Sequence, residues 1–145
     1  MYWSEVGVTH KIEVANMDGD DRHVLVRRGL YYPTGLTLDD TNNRLYWVDS
    51  SLDILEYYDL GRHTITTLLH RSYVLSYPFG LTSIHAHLYW TDWNRDAVCQ
   101  GDKETASNTT VLVSGLRQPM DIHAYDRNQT LHGTKSQNFY LLGLK

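Results

Sequence analysis

The pair Tyr-Trp occurs at residues 2–3, 46–47 and 89–90, each time with an acid two positions on, in "YWSE", "YWVD" and "YWTD". The copies are 44 and 43 residues apart. A near-constant period in the forties marks a repeat architecture, in which one supersecondary unit recurs and buries its faces only against its neighbours. This constraint precedes any other reading of the chain.

Within one period the pattern is that of short strands. The second copy runs "PTGLTLDD", "NRLYWVDS", "DILEYYDLGR" and "HTITTLLH", four stretches rich in aromatic and β-branched residues, broken by Gly, Pro, Asn and Asp. No helical period survives this punctuation. Copy one gives "YWSE", "KIEVANMDGDD" and "RHVLVRR"; copy three gives "FGLTSIHAHLYWTDW", "DAVCQGDK" and "NTTVLVSGL". Then "QPMDIHAYD" repeats a first-strand phrase, so that Pro33, Pro78 and Pro119, all the prolines of the chain, fall at one phase. Four antiparallel strands per unit of 40–45 residues predict an all-β fold, a β-propeller. The chain opens on a second strand and its last unit stops on a first strand, so the two ends would complete one blade if the ring closed. Three units are fewer than the 4–8 blades of a propeller. The expectation is therefore a partial propeller over residues 1–126, with a polar, aperiodic tail, disordered or foreign to the domain, at 127–145.

On a strand, residues two apart share a face, so Tyr46 and Val48 point one way while Trp47 and Asp49 point the other. Blades stacked in a ring bury both faces of each sheet. The aromatics Tyr2, Trp3, Tyr46, Trp47, Tyr89 and Trp90 are accordingly expected to fill wedges between blades. Asp49 and Asp92, at strand ends, are expected to accept hydrogen bonds that tie blade to blade, since a buried carboxylate without partners is costly.

The remaining composition narrows function. A formal net charge of −4 and a pI near 6.0 leave no electrostatic footprint for nucleic acid, and no apolar run approaches a membrane span. Met1 occupies the motif position held by Leu45 and Leu88, which suggests a fragment. The single cysteine, Cys99, rules out an internal disulfide and taken alone suggests a reducing compartment. Two glycosylation triplets, at Asn108 and Asn128, point instead to a secreted chain. Cys99 follows Val98 in an ordinary strand slot and is read as buried or unpaired. Eight histidines invite a metal reading, but His85-x-His87 has no third ligand nearby, and "NMDGDD" lacks the Gly and Glu positions of a calcium loop. No catalytic motif occurs, and neither a cofactor nor a metal is expected.

The Tyr-Trp-x-Asp quartets, with Pro-x-Gly-Leu before the second and third, resemble the YWTD class of propeller repeats found in the low-density-lipoprotein receptor and its relatives, in nidogen and in the epidermal growth factor precursor. The stretches "MYWSEVGVTHKIEVANMDGDDRHVLV", "PFGLTSIHAHLYWTDW" and "PMDIHAYD" are similar to the last three repeats of a propeller in the LDL-receptor-related proteins. The resemblance implies half of a six-bladed extracellular propeller that binds protein ligands on one face of the disc. It also implies a cell-surface parent, with the remaining blades and a cysteine-rich EGF-like module as neighbours. Glu5 replaces the Asp of the first quartet, Val48 replaces Thr in the second, and the tail has no cysteine.

Propeller strands are consumed by packing, which leaves binding to loops. Two loop sets recur in phase: Ser51, Asp53, Trp93, Asn94, Arg95 and Asp96 after the quartets, and Tyr32, Thr34, Tyr77 and Phe79 around the prolines. By resemblance both sets face the ligand side, with Trp93 and Phe79 as the first anchors. Three functions follow: a receptor segment acting in uptake or Wnt-type signalling, a matrix propeller of nidogen type, and a six-bladed hydrolase. The last would need inner-strand metal ligands, and Thr37, Thr82 and His123 do not make such a set. The histidines are candidates for an endosomal pH switch. A bare three-blade arc would leave two sheet faces in water and is expected to aggregate or self-associate.

Overall fold

The computed structural model describes residues 1–125. The tail and Asn128 lie outside them. Among the described residues there are eleven strands and no helix. Strands β1 (Tyr2–Glu5), β2 (Lys11–Val14) and β3 (His23–Val26) form a three-stranded sheet. Next come β4 (Pro33–Asp39), β5 (Arg44–Asp49), β6 (Ile54–Asp59) and β7 (Thr64–His70), a four-stranded meander. A second meander follows, from β8 (Pro78–Ile84), β9 (His87–Asp92), β10 (Ala97–Asp102) and β11 (Thr110–Ser114). All pairings are antiparallel, and each Tyr-Trp pair lies on the strand expected for it: β1, β5 and β9. His87 is the first residue of β9.

The turns have local causes. Asn43, Asp53, His63, His85 and Asp96 turn the hairpins with φ between 48° and 57°. Asn and Asp tolerate this left-handed conformation because their short polar side chains hydrogen-bond locally. Asp59 Oδ1 accepts the Gly61 and Arg62 N–H groups at 3.0 and 2.8 Å, and Asp102 Oδ1 accepts those of Glu104 and Thr105 at 2.9 and 3.0 Å. The same acid caps the same turn in both meanders.

The core lies in the wedges between sheets. Trp47 and Leu45 of β5 face the first sheet, packing with Ile12, Val26 and Tyr2. On the opposite face of β5, Tyr46 and Val48 pack with Leu81, Leu88, Trp90 and Cys99 of the third sheet. Each wedge thus takes a Tyr from the preceding blade and a Trp from the following one. Trp47, Trp90 and Tyr46 are fully buried, whereas Trp3 and Tyr89, on the outermost faces of the arc, are only half-buried.

The inner strands touch backbone to backbone. A Cβ on Gly35 would come within 2.7 Å of Leu81 N and Phe79 O; on Gly80 it would come within 2.7 Å of Met120 O. Glycine is the residue that permits such an approach. Thr37 Oγ1 accepts the Ser83 N–H at 3.2 Å, and Thr82 Oγ1 accepts the Ala124 N–H at 3.2 Å. Residues 119–124 therefore run along β8 as β8 runs along β4. They belong to no sheet, although the sequence reads them as a first strand. A ladder needs a second strand beside it, and among the described residues none lies on their far side. The ends of the two meanders away from Pro33 and Pro78 are joined by ion pairs, Lys103–Asp39 at 2.8 Å and Arg44–Glu104, and by the Tyr46 hydroxyl donating to Lys103 O at 3.1 Å.

Candidate functional site

Pro33 lies opposite Asp49 and Pro78 opposite Asp92, so the start of each inner strand and the end of each Tyr-Trp strand share one end of their sheet. The two loop sets of the sequence meet there. Asp53 and Tyr77, from successive blades, are joined directly, the Tyr77 N–H donating to Asp53 Oδ1 at 2.7 Å. Thr34 Oγ1 donates across the same boundary to Pro78 O at 3.3 Å. Ser51 and Asn94 are exposed, as is Tyr32.

The buried acids hold this end together. Asp49, with no exposed surface, accepts the N–H groups of Tyr31 and Tyr32 on Oδ2 at 2.6 and 2.8 Å, and those of Ser51 and Leu52 on Oδ1 at 3.1 Å each. One carboxylate thus clamps the connection entering the blade to the turn leaving its second strand. Asp92 repeats the arrangement with Ser76 N at 2.8 Å and Arg95 N at 3.1 Å. Burial pushes the Asp92 carboxyl above its ordinary range, and these two N–H bonds and the Arg95 charge offset that only in part. Glu5, in the equivalent place of the first sheet, is partly exposed and pairs with Lys11 at 3.3 Å and Arg22 at 3.9 Å.

Around this frame three aromatic rings stack. Phe79 lies parallel to Trp93, with centroids 4.6 Å apart and 6° between planes, and Tyr77 stacks on Trp93 at 5.3 Å and 21°. Trp93 is fixed further, its indole N–H donating to Pro119 O at 2.9 Å and its backbone N–H to Tyr77 O at 3.1 Å. Asn94 Nδ2 donates to Ser76 Oγ at 3.0 Å. Arg95 Nε lies 3.7 Å from Asp92 Oδ2, and Asp96 O accepts the Leu116 N–H.

Tyr77 has φ of 59°, a conformation that a bulky side chain adopts at a cost of about 1–3 kcal/mol. The bond to Asp53, the bond from Trp93 and the ring stack together hold it there. The sequence reading missed Tyr73, which is 88% exposed in the connection between β7 and β8 that enters this same end. The length of that connection was the available signal. Thr37 and Thr82 are engaged in the bonds between inner strands described above. Cys99 is buried in the wedge between the meanders, and burial, with the Asp92 charge adding to it, pushes its thiol up to about 11. Asn108 is exposed in a turn ahead of β11. No cluster of three or more metal-ligating side chains occurs among the described residues.

Residues 1–39 match the family model for the low-density lipoprotein receptor repeat class B. Among curated proteins, the chain is 32% identical over 123 residues to the vitellogenin receptor of Solenopsis invicta, covering 85% of this chain and 7% of that one. It is 40% identical over 99 residues to low-density lipoprotein receptor-related protein 4 of Mus musculus (66% and 5%), and 35% identical over 116 residues to low-density lipoprotein receptor-related protein 5 of Homo sapiens (80% and 7%). The chain spans less than a tenth of the length of these relatives. Among solved structures, the nidogen/laminin complex contains a chain that superposes with a TM-score of 0.67 at 30% identity, over 80% of this chain and 42% of that one. The calcium-binding protein regucalcin of Agrobacterium tumefaciens superposes at 0.69, over 83% and 44%, but at 14% identity it shares the fold alone. The repeated quartet, the in-phase sheets and these relatives agree: this chain belongs to the low-density lipoprotein receptor class B, or YWTD, repeat family, as a partial β-propeller.

Proposed function

We propose that this chain is a non-catalytic, protein-binding segment of an extracellular receptor of the LDL-receptor-related class, and that its binding surface is the end carrying Tyr77, Phe79 and Trp93. The observation behind this reading is the strained backbone of Tyr77 beside a stack of three rings, flanked by Asn94, Arg95 and Asp96. Strain held by surrounding bonds collects at functional sites, and aromatic anchors among charges are the usual composition of a binding hot spot. Uptake and Wnt-type signalling both fall within this reading, and the likeness to a vitellogenin receptor makes vitellogenin the first protein ligand to test. In a longer parent chain the arc would adjoin the remaining blades and an EGF-like module.

The second reading, a matrix propeller, draws on the 30% identity to the chain in the nidogen/laminin complex. Likeness to regucalcin and to a luciferin-regenerating enzyme, at 14% and 15% identity, carries no catalytic argument. The test is to immobilise the chain and measure binding of purified vitellogenin and of laminin, for wild type, Arg95→Ala and Tyr73→Ala. Vitellogenin binding weakened tenfold or more by either substitution supports the receptor reading. Laminin binding with the same sensitivity favours the matrix reading. Binding of either protein that both substitutions leave unchanged removes this end as the site.

A further inference from the structure

The outermost strand of each sheet leaves one row of backbone N–H and C=O groups unpaired, and such an edge with apolar side chains is a template for pairing with another chain. The three sheets blunt it differently. β3 is flanked by the exposed Arg22, Arg27 and Arg28. β7 opens on Thr64, Ile65, Thr66 and Thr67, so that one apolar residue stands exposed among threonines. β11 has neither protection: Val111, Leu112 and Val113 are consecutive and 49%, 45% and 41% exposed, and no charged residue lies between Asn108 and Leu116. β11 is the outermost strand of its meander, and Val111, opposite Cys99, lies on the face turned toward the second meander. Its exposure is that of the sheet's own rim.

We propose that Asn108 carries an N-linked oligosaccharide and that this sugar covers the outer edge of β11. The proposal rests on the extracellular reading above, because the sugar is added to secreted chains. Asn108-Thr109-Thr110 is an acceptor triplet. In the transfer, the Asn108 amide nitrogen attacks the anomeric carbon of an oligosaccharide linked to a lipid pyrophosphate. The new N–C bond replaces the C–O bond to the pyrophosphate, which leaves with the electron pair, and the amide nitrogen loses one proton to the transferase.

Transfer takes place on the nascent chain, so what the folded structure has to supply is room. Asn108 is exposed, with φ of 54°, and its side chain makes no hydrogen bond among the described residues. The same holds for the exposed Thr110 side chain. The turn is held without either. Asp102 Oδ1 accepts the Thr105 hydroxyl at 3.0 Å, the Thr105 and Ser107 hydroxyls lie 2.8 Å apart, and Thr109 Oγ1 donates to Ala106 O at 2.9 Å. A sugar on Asn108 therefore displaces nothing.

Place is the second support. Asp102 lies opposite His87, at the end of the sheet away from Pro78 and Asp92, and the turn that follows it carries Asn108. A sugar rooted two residues before β11 has the unprotected edge within reach. The end that carries Tyr77, Phe79 and Trp93 stays open to a ligand.

The experiment is expression of the 145-residue chain in animal cells behind a cleavable secretion signal, with Asn128→Gln in every sample so that only one triplet remains. Occupancy is read by mass spectrometry after enzymatic release of the sugar in heavy-oxygen water, which leaves a labelled aspartate where a sugar stood. Reading the whole-cell pool as well as the medium keeps poor secretion from hiding the result. Position 108 is expected to be occupied, and unoccupied in Thr110→Ala, which keeps the asparagine. An unoccupied position 108 in the parent chain would overturn the proposal. The covering of the edge is read by light scattering at equal concentration. Thr110→Ala should scatter about twofold more than the parent, and adding Leu112→Lys, a charge on the same edge, should reverse this while Ile65→Lys on β7 should not. Equal scattering with and without the sugar, or equal rescue by Ile65→Lys, would refute the covering. The signal supplies the route into the secretory pathway, so an unoccupied position 108 counts against this site alone. An occupied chain that binds neither vitellogenin nor laminin counts against the proposed function alone.

Discussion

Substituting Asp49 and Asp92 by Asn in turn tests whether the acid of the repeated quartet acts as a clamp. Asn keeps one acceptor oxygen and replaces the other with an NH2 group. At Asp49 the retained oxygen can serve either Tyr31 and Tyr32 or Ser51 and Leu52, and the other pair then faces a donor. Two backbone N–H groups are left without an acceptor at a site closed to water. At about 1–3 kcal/mol each, with some relief from local opening, the expected cost is about 2–4 kcal/mol. At Asp92 only one N–H loses its partner, because the carboxylate accepts Ser76 on one oxygen and Arg95 on the other. Neutralisation also removes the burial penalty that raises the Asp92 carboxyl, so the expected cost is about 1 kcal/mol or less. The assay is urea denaturation followed by Trp fluorescence at one fixed chain concentration, since self-association shifts apparent stability. Equal costs for the two variants, or a larger cost at Asp92, would refute the clamp.

Three further outcomes are expected. Gly35→Ala and Gly80→Ala each drive a methyl into backbone of the next blade and should cost about 1–3 kcal/mol in the same denaturation, whereas Gly7→Ala, with open space around it, should be nearly neutral. Cys99 should resist a thiol reagent at neutral pH in the folded chain and react stoichiometrically in urea, because its buried thiol is held protonated. Stability should fall on acidification. The Arg22 hydrogen bond holds the Glu13 carboxyl below its ordinary 4.5, and the Arg62 backbone bond holds that of Asp59 below 3.8. Such groups stabilise the fold above their unfolded values, and their contribution is lost as pH falls through the lowered ones. Asp92, with a raised carboxyl, has the opposite sign, so Asp92→Asn should steepen the acid loss, as measured by melting temperature between pH 6 and pH 3.

The strands were legible because each is specified locally: a two-residue alternation, a Tyr-Trp pair to mark phase, and Asp or Asn where the chain must turn. The repeat period extended this to the whole arc. What joins one blade to the next was less visible. Lys103 and Asp39, or Arg44 and Glu104, are some 60 residues apart and obey no short pattern, and Thr37 reads as any strand threonine until Ser83 lies beside it. The segment from Pro119 has the sequence of a strand without the ladder, since strand sequence is a preference and a ladder needs a partner. At the candidate site, residue choice followed from phase. The left-handed backbone of Tyr77 did not, because position 77 is followed by proline and its ring is bulky, both of which argue against that conformation.

The opposed faces of β5, Trp toward one neighbour and Tyr toward the other, bear on how such chains change length over time. Excising one sequence period from any starting point fuses a Tyr-bearing face to a Trp-bearing face of the same kind as before. Gains or losses in whole periods would therefore alter the circumference while every surviving seam keeps its chemistry, and an excision of any other length would leave two unlike faces in contact.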